Sequence, residues 1–376
     1  MGFSDDNHRD GYFMQPQSFV PDLIFRPRAE IHAAQEQRFA ATMDLVCAHH
    51  PFYRGLMARL GLRRADFRST ADLARLPLTT KQDFMGDPQA FLLGASEVPP
   101  EMQVVWDTMY TTGTSSGKPT PFVSTAYDYY NVIALYSRIL GLRGVRGDDL
   151  IANLCPLTVH PHGAYHRVSA AGAALKIPVV NLLPGRPSPH FHLGSELDEV
   201  VEGIARTRAT ILWGVTSYVR RVLMRAAELG ADFSRVRLAY ITGEAVTPAL
   251  RANFEQCLRD AGARQASINV SYGITEIQGG FTECCPGGGF HNPLPEDIHV
   301  QVVDPQSHQP LPEGERGLVV ISHLNRRGTL LLRYSTGDLS VLSRSACPHC
   351  GATTDRFTDM PPVSYTHLRA HETRED

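Results

Sequence analysis

The sequence predicts an α/β protein, a mostly parallel sheet flanked by helices and followed by a small antiparallel β subdomain. Three observations carry this reading. From residue 127 to residue 270, apolar runs of strand length alternate with helix-like segments. Just before that alternation, residues 110–120 read Tyr-Thr-Thr-Gly-Thr-Ser-Ser-Gly-Lys-Pro-Thr, a run without a large apolar side chain after Tyr110, which has to be a loop. From residue 298 the pattern changes to short strand-like runs separated by turns.

Taken in order, residues 3–28 are irregular and proline-punctuated, and residues 30–50 place Ile31, Phe39, Met43 and Val46 on one helical face. Residues 73–81 read as a turn into another helix. After the loop come a helix over 127–142, a strand over 150–155, a small-residue helix over 164–175 and a strand over 178–183. A helix over 197–206, a strand over 210–213, a helix over 218–229, a strand over 238–242, a helix over 248–261 and a strand over 267–270 complete the series. Such alternation implies a sheet covered on both faces, with ligands beyond the C-terminal ends of its strands. Strand-like runs follow at 299–303, 317–322 and 330–333. The expected organisation is a helical lead-in over 1–70, an α/β core over 71–297 and a β subdomain over 298–362. No internal repeat is visible.

Composition excludes several classes. The chain of 376 residues, 43% hydrophobic and 20% charged, can bury a substantial core. A net charge of -3 without a basic cluster argues against nucleic acid as the main partner. No apolar run approaches the roughly twenty residues of a membrane span. The polar, acidic N-terminus is unlike a signal peptide, so a cytoplasmic location is expected. Residues 363–373, Val-Ser-Tyr-Thr-His-Leu-Arg-Ala-His-Glu-Thr, read as the translation of a sequencing-library adapter. The tail over 363–376 is therefore set aside, and the natural chain is expected to continue past about Pro361.

Glycines and hydroxyls in succession let backbone N–H groups converge on one point, and Lys118 adds a cation, a combination suited to a polyphosphate. The bland alternative is a solvated linker. A Walker A loop is excluded, because only three residues separate Gly113 from Gly117 and Pro119 follows Lys118. Ser271-Tyr-Gly-Ile-Thr-Glu276 directly follows an expected strand. There a flat ring can lie beside a base, the glycine admits close backbone approach, and Glu276 offers a hard oxygen ligand for Mg²⁺. The Asp of Tyr334-Ser-Thr-Gly-Asp338 can accept two hydrogen bonds from a diol. Each motif alone also fits an ordinary turn.

Together and in this order, these motifs resemble those of the adenylate-forming enzymes. The loop resembles that family's Thr-Ser-Gly-Thr-Thr-Gly-Lys-Pro phosphate loop, with Thr114 where the family has Gly. Residues 272–276 resemble its Tyr-Gly-x-Thr-Glu motif, 334–338 its Tyr-Arg-Thr-Gly-Asp, and Gly243-Glu244-Ala245 its adenine loop. His160, in His-Pro-His-Gly after Pro156-Leu157, resembles the segment lining the acid pocket. Residues 73–81, Gly214-Val-Thr-Ser-Tyr218, Glu276-Ile-Gln-Gly-Gly280 and the late Cys-Pro-x-Cys-Gly look most like phenylacetate-coenzyme A ligase. The resemblance spans roughly residues 70 to 360 and implies a large N-terminal domain that activates a carboxylic acid, aromatic by this likeness, with ATP and Mg²⁺ and passes it to coenzyme A. It implies that Thr112, Thr114, Ser115, Ser116, Gly117 and Lys118 hold the pyrophosphate, Gly243, Glu244, Ala245 and Ser271 line the nucleotide, and Tyr272 with Gly273 meets adenine. Thr275 then contacts phosphate, Glu276 the metal and Asp338 the ribose. In the family a small C-terminal domain with a catalytic lysine follows. That domain is expected to be missing here, so weak ATP binding and poor turnover are expected.

Seven cysteines are an odd number for a disulfide framework. Cys347-Pro-His-Cys350 is a knuckle of the kind that binds zinc, and Cys284 with His291 would complete a closed, structural tetrahedron. Cys285 and His349 are rival ligands, and Cys47, Cys155 and Cys257 fall in core patterns. Transfer to a carrier protein or amine, and a non-catalytic zinc-binding fragment, stay open as alternatives. The residues leave a homodimer open.

Overall fold

The computed structural model describes residues 20–93, 104–110, 119–157, 163–185 and 192–360. Two helices, α1 (Arg28–His49) and α2 (Pro51–Leu60), lead in. The break between them is chemically specified, with Pro51 at the first position of α2, the His50 ring accepting from Tyr53 N, and Gly61 closing the helix at φ 67°. A short helix, α3 (Lys81–Gly86), then precedes a hairpin of β1 (Val105–Tyr110) and β2 (Pro121–Thr125), so residues 111–120 connect two antiparallel strands.

The core alternates as expected. Helices α4 (Ala126–Leu142), α5 (Gly163–Leu175), α6 (Leu197–Thr207), α7 (Thr216–Leu229) and α8 (Pro248–Asp260) intersperse with β3 (Ile151–Leu154), β4 (Val179–Asn181), β5 (Ile211–Val215), β6 (Leu238–Thr242) and β7 (Ser267–Ile274). These five strands pair in parallel in the order β4-β3-β5-β6-β7. Successive side chains of a strand point to opposite faces, and the two cores follow that alternation. Ile211, Trp213, Leu238 and Tyr240 face the cluster containing α4 and α5 residues, while Leu212, Ala239 and Ile241 face the one built with α6, α7 and α8.

Beyond β7 the sheet becomes antiparallel without a break. Strands β8 (Gly279–Glu283), β9 (Phe290–His291), β10 (Ile298–Val303), β11 (Arg316–His323), β12 (Tyr334–Ser343) and β13 (Arg356–Phe357) extend it in the order β10-β11-β12-β13-β9-β8-β7, giving one mixed sheet of eleven strands. The mostly parallel character expected from the sequence is thus confined to one half, and the antiparallel strands share its hydrogen-bond ladder.

One expected strand is absent. Residues 330–333 are fully buried but irregular, because Arg333 adopts φ 48°, which ends an extended run. Their N–H groups bond elsewhere, Leu331 N to His323 Nδ1 and Leu332 N to Tyr53 Oη. The strand instead begins at Tyr334.

Two contacts lock α4 against the antiparallel half. Asp128 closes the capping box of α4 with Thr125 and also accepts from the N–H groups of Arg327 and Gly328, both at 2.8 Å. Arg138 meets both oxygens of Glu296 at 2.8 Å, and this pair is almost wholly buried. Removing one partner strands the other charge, so Glu296→Ala is expected to lower unfolding free energy by about 3–5 kcal/mol in urea titration. Arg138→Met with Glu296→Leu in the same chain should recover most of that loss.

Candidate functional site

The expected site residues that are described gather at the C-terminal ends of β6 and β7 and across β12. Strand β6 ends at Thr242, and Gly243 turns the chain at φ 85°. Glu244 then reaches the first turn of α7, where its carboxylate accepts from Ser217 N at 2.8 Å and Ser217 Oγ at 2.7 Å. A carboxylate suits the positive end of a helix, and the pairing fixes the loop that includes Ala245.

Strand β7 carries Ser271, Tyr272 and Gly273, turns through one 3₁₀ turn (Thr275–Ile277), and returns as β8. Gly273 lies opposite Gly280. A Cβ on Gly280 would stand 2.3 Å from Ser271 Oγ, and one on Gly273 would stand 2.9 Å from Thr242 Oγ1. Close approach of three strands therefore requires both glycines.

Strand β12 bulges at the second motif. Ser335 pairs with Val320 and Leu339 with Leu318, so residues 336–338 stand opposite Val319 alone, with Gly337 at φ 83°. Such a bulge re-aims side chains. Asp338 consequently meets β7, where Tyr272 Oη donates to its Oδ2 at 2.6 Å. The reciprocal bond also forms, because Tyr334 Oη donates to Glu276 Oε1 at 2.7 Å. Each motif thus supplies a tyrosine to the other motif's carboxylate. Burial first, then the neighbouring carboxylates, raises both phenols well above their ordinary value, which keeps them as donors. One hydrogen bond leaves a carboxylate room for further ligands. The Tyr272 ring packs nearly parallel to Phe281, with centroids 5.9 Å apart.

His323 holds the backbone beneath Glu276. Its Nδ1 accepts from Leu331 N, so its Nε2–H donates to Glu276 O at 2.8 Å, which fixes the neutral tautomer. Burial pushes its pKa down, favouring the same form. Sequence reading missed His323 and the role of Tyr334, since nothing local to residues 323 or 334 signals a partner at 276. Thr112, Thr114, Ser115, Ser116, Gly117 and Lys118 lie outside the described residues, as does His160.

A cavity of about 910 Å³ opens beyond β3 and β5, lined by Pro156, Leu197, Val215, Tyr218 and Arg221 among others. The Tyr218 hydroxyl is buried and has no partner among the described residues.

The candidate metal ligands, three cysteines and one histidine, converge from three segments. One ligand atom each from Cys284, His291, Cys347 and Cys350 lies within 4.8 Å of every other, and all the cysteines are free thiols. Cys284 Sγ is 3.8 Å from Cys347 Sγ, and Cys350 Sγ is 3.5 Å from His291 Nε2. A tetrahedron with sulfur arms of about 2.3 Å and a nitrogen arm of about 2.0 Å has edges of about 3.8 and 3.5 Å. His291 Nδ1 lies 3.2 Å from Thr282 O and 3.1 Å from Gly289 O, so Nδ1 carries the proton and Nε2 presents its lone pair inward. Cys285 and His349 fall outside the four-atom group. Burial acts to raise the Cys347 thiol, but N–H groups of Cys350 and His349 hold it below its ordinary value. Burial and the two knuckle thiols push Cys284 up. A bound cation would relieve that crowding. No helix among the described residues is long and apolar enough to cross a membrane.

Comparison with known proteins places these features in context. The family described as "AMP-binding enzyme" matches residues 109–325. Phenylacetate-coenzyme A ligase of Thermus thermophilus is 28% identical over 339 residues, covering 89% of this chain and 71% of the relative. The Escherichia coli K12 protein of that name is 26% identical over 320 residues, covering 83% and 67%. Among solved structures, 2-hydroxyisobutyryl-CoA ligase with 2-HIB-AMP and CoA superposes with a TM-score of 0.75 at 22% identity, covering 92% of this chain and 71% of that one. The last likeness speaks to fold.

The crossed tyrosines make a specific expectation. Tyr334→Phe removes a hydrogen bond to a charged group and should cost about 1.5–3 kcal/mol of stability in chemical denaturation, whereas the Glu276→Gln and Tyr334→Phe effects should be far from additive in a double-mutant cycle.

Proposed function

Because the chain belongs to the AMP-binding enzyme family, we propose that it activates a carboxylic acid, aromatic in kind, as the acyl adenylate and passes it to coenzyme A. What supports this reading most is that residues 271–276 and 334–338, two motifs distant in sequence, meet through the Tyr272–Asp338 and Tyr334–Glu276 bonds. In the first step the acid's carboxylate oxygen attacks the α-phosphorus of ATP and pyrophosphate leaves. In the second the thiol sulfur attacks the acyl carbon and AMP leaves. Lys118 and the hydroxyls of Thr112, Thr114, Ser115 and Ser116 hold the departing pyrophosphate. Thr275 contacts phosphate, Tyr272 and residues 243–245 bound the adenine, and Asp338 accepts from the ribose hydroxyls. Glu276 would hold Mg²⁺, which when bound offsets charge developing on the phosphates. Pro156, Val215 and Tyr218 line the cavity that would take the acid, and the apolar part of that lining suits a ring; the family resemblance assigns His160 to the acid as well. ATP and coenzyme A are cytoplasmic substrates, in keeping with a cytoplasmic enzyme, and a homodimer would be tested by light scattering.

We assign Cys284, His291, Cys347 and Cys350 to a structural zinc ion, since four soft or borderline donors enclose one point and leave no position for substrate. The site would fasten β9 and the segment between β12 and β13 together.

The reading is tested by ATP–pyrophosphate exchange over a panel of carboxylic acids. Arylacetates should support exchange with AMP as the nucleotide product, and ADP as product would contradict it. Lys118→Ala should slow exchange by about 10²-fold or more, and Tyr218→Ala should raise KM for the acid about tenfold with KM for ATP unchanged. Metal analysis should find one zinc per chain, and its removal by a chelator should lower the melting temperature. A stable, metal-free protein whose thiols all react at once with a disulfide reagent would overturn the zinc assignment.

A further inference from the structure

Arg167 sits in the second turn of α5 and is only 2% exposed. Its guanidinium grips Asp107 of β1 with two bonds, at 2.7 and 3.2 Å, and donates from Nη2 to Gln278 Oε1. Gln278 in turn donates from Nε2 to Thr275 O at 2.7 Å, and its own N–H donates to the same carbonyl at 3.0 Å. Gln278 adopts φ 56°, a conformation costly for a non-glycine residue, so something must hold it there. The chain of contacts therefore runs from β1, through the buried side chains of Arg167 and Gln278, to the turn bearing Thr275 and Glu276.

A buried ion pair is a poor source of net stability, because desolvation of the two charges offsets most of their attraction. A planar fork with two partners in fixed directions does supply registry. Strand β1 ends at Tyr110, and the Gly/Ser/Thr-rich stretch begins at the next residue. Asp107, Arg167 and Gln278 come from three separate segments, and none of them belongs to a motif's reactive positions.

We propose that Arg167 is a positioning residue for nucleotide binding, which fixes the turn carrying Thr275 and Glu276 relative to β1 by bridging Asp107 and Gln278. This rests on the functional reading above. Arg167 touches neither phosphate nor metal in this scheme. It acts through Gln278, whose side-chain amide is the only link from the guanidinium to the Thr275 carbonyl among the described residues.

The test uses calorimetric binding of ATP with Mg²⁺ and, separately, of AMP to the 376-residue chain. Two variants are compared with the parent. Gln278→Leu breaks both side-chain bonds at similar volume, and Arg167→Lys keeps the charge beside Asp107 but cannot fork between two partners. Each should lose affinity for ATP at least about five times more than for AMP. AMP lacks the β- and γ-phosphates and the metal they carry, so a general loss of structure would weaken both nucleotides alike. The double variant should be no weaker than the worse single one, because both changes cut the same chain of contacts. Melting temperatures identify any variant that fails to fold, and the other then carries the test. Equal losses for the two nucleotides, no loss in a folded variant, or multiplicative losses in the double variant would overturn the bridge while leaving the functional reading intact. Failure of the parent chain to bind either nucleotide would overturn that reading and, with it, this proposal.

Discussion

The candidate site depends on the hydrogen-bond ladder that runs unbroken from the parallel strands into the antiparallel ones. Were β7 an edge, residues 271–276 would stand alone at the end of an α/β core. Because β8, β9 and β13 continue the pairing, β12 comes round to face β7. Two carboxylates more than sixty residues apart, Glu276 and Asp338, are thereby each presented with the other motif's tyrosine. The glycines facing each other at 273 and 280 are what allow the strands there to approach closely enough.

That ladder also explains why buried polar groups, charged and neutral, tie the helices to the sheet around the site. Asp128 binds the connection after β11, Glu296 anchors Arg138 of α4, and His323 holds the carbonyl of Glu276. None is worth much as an isolated pair in water. Inside the protein each must be satisfied, and the need to satisfy them restricts how helices and sheet can be assembled. The functional groups inherit that restriction. Glu276 in particular is fixed through its side chain by Tyr334 and through its backbone by His323, so its orientation does not depend on a bound ligand.

The candidate metal group is drawn from the ends of the same antiparallel strands. Cys284 follows β8, His291 ends β9, and Cys347 with Cys350 lies between β12 and β13. Short strands such as β9 and β13, two residues each, have little pairing energy of their own. Cross-linking their ends by a shared ion would compensate for that shortness.

By itself, the sequence determined the alternation of helices and strands, the identity of the motifs and the Cys347 and Cys350 half of the candidate metal group. Each of these is written in local patterns, in apolar periodicity, in glycine and hydroxyl clustering, or in Cys-x-x-Cys spacing. The tertiary structure alone decided that the two halves share one sheet, that residues 330–333 are no strand, and that Cys284 and not Cys285 joins the cluster. It alone paired Tyr272 with Asp338 and Tyr334 with Glu276, and it alone brought Asp107, Arg167 and Gln278 together. The physical reason is range. A propensity or a turn is set by neighbours a few residues away, whereas a hydrogen bond between distant segments depends on strand order and on a bulge that re-aims three residues, and no single stretch of sequence contains either.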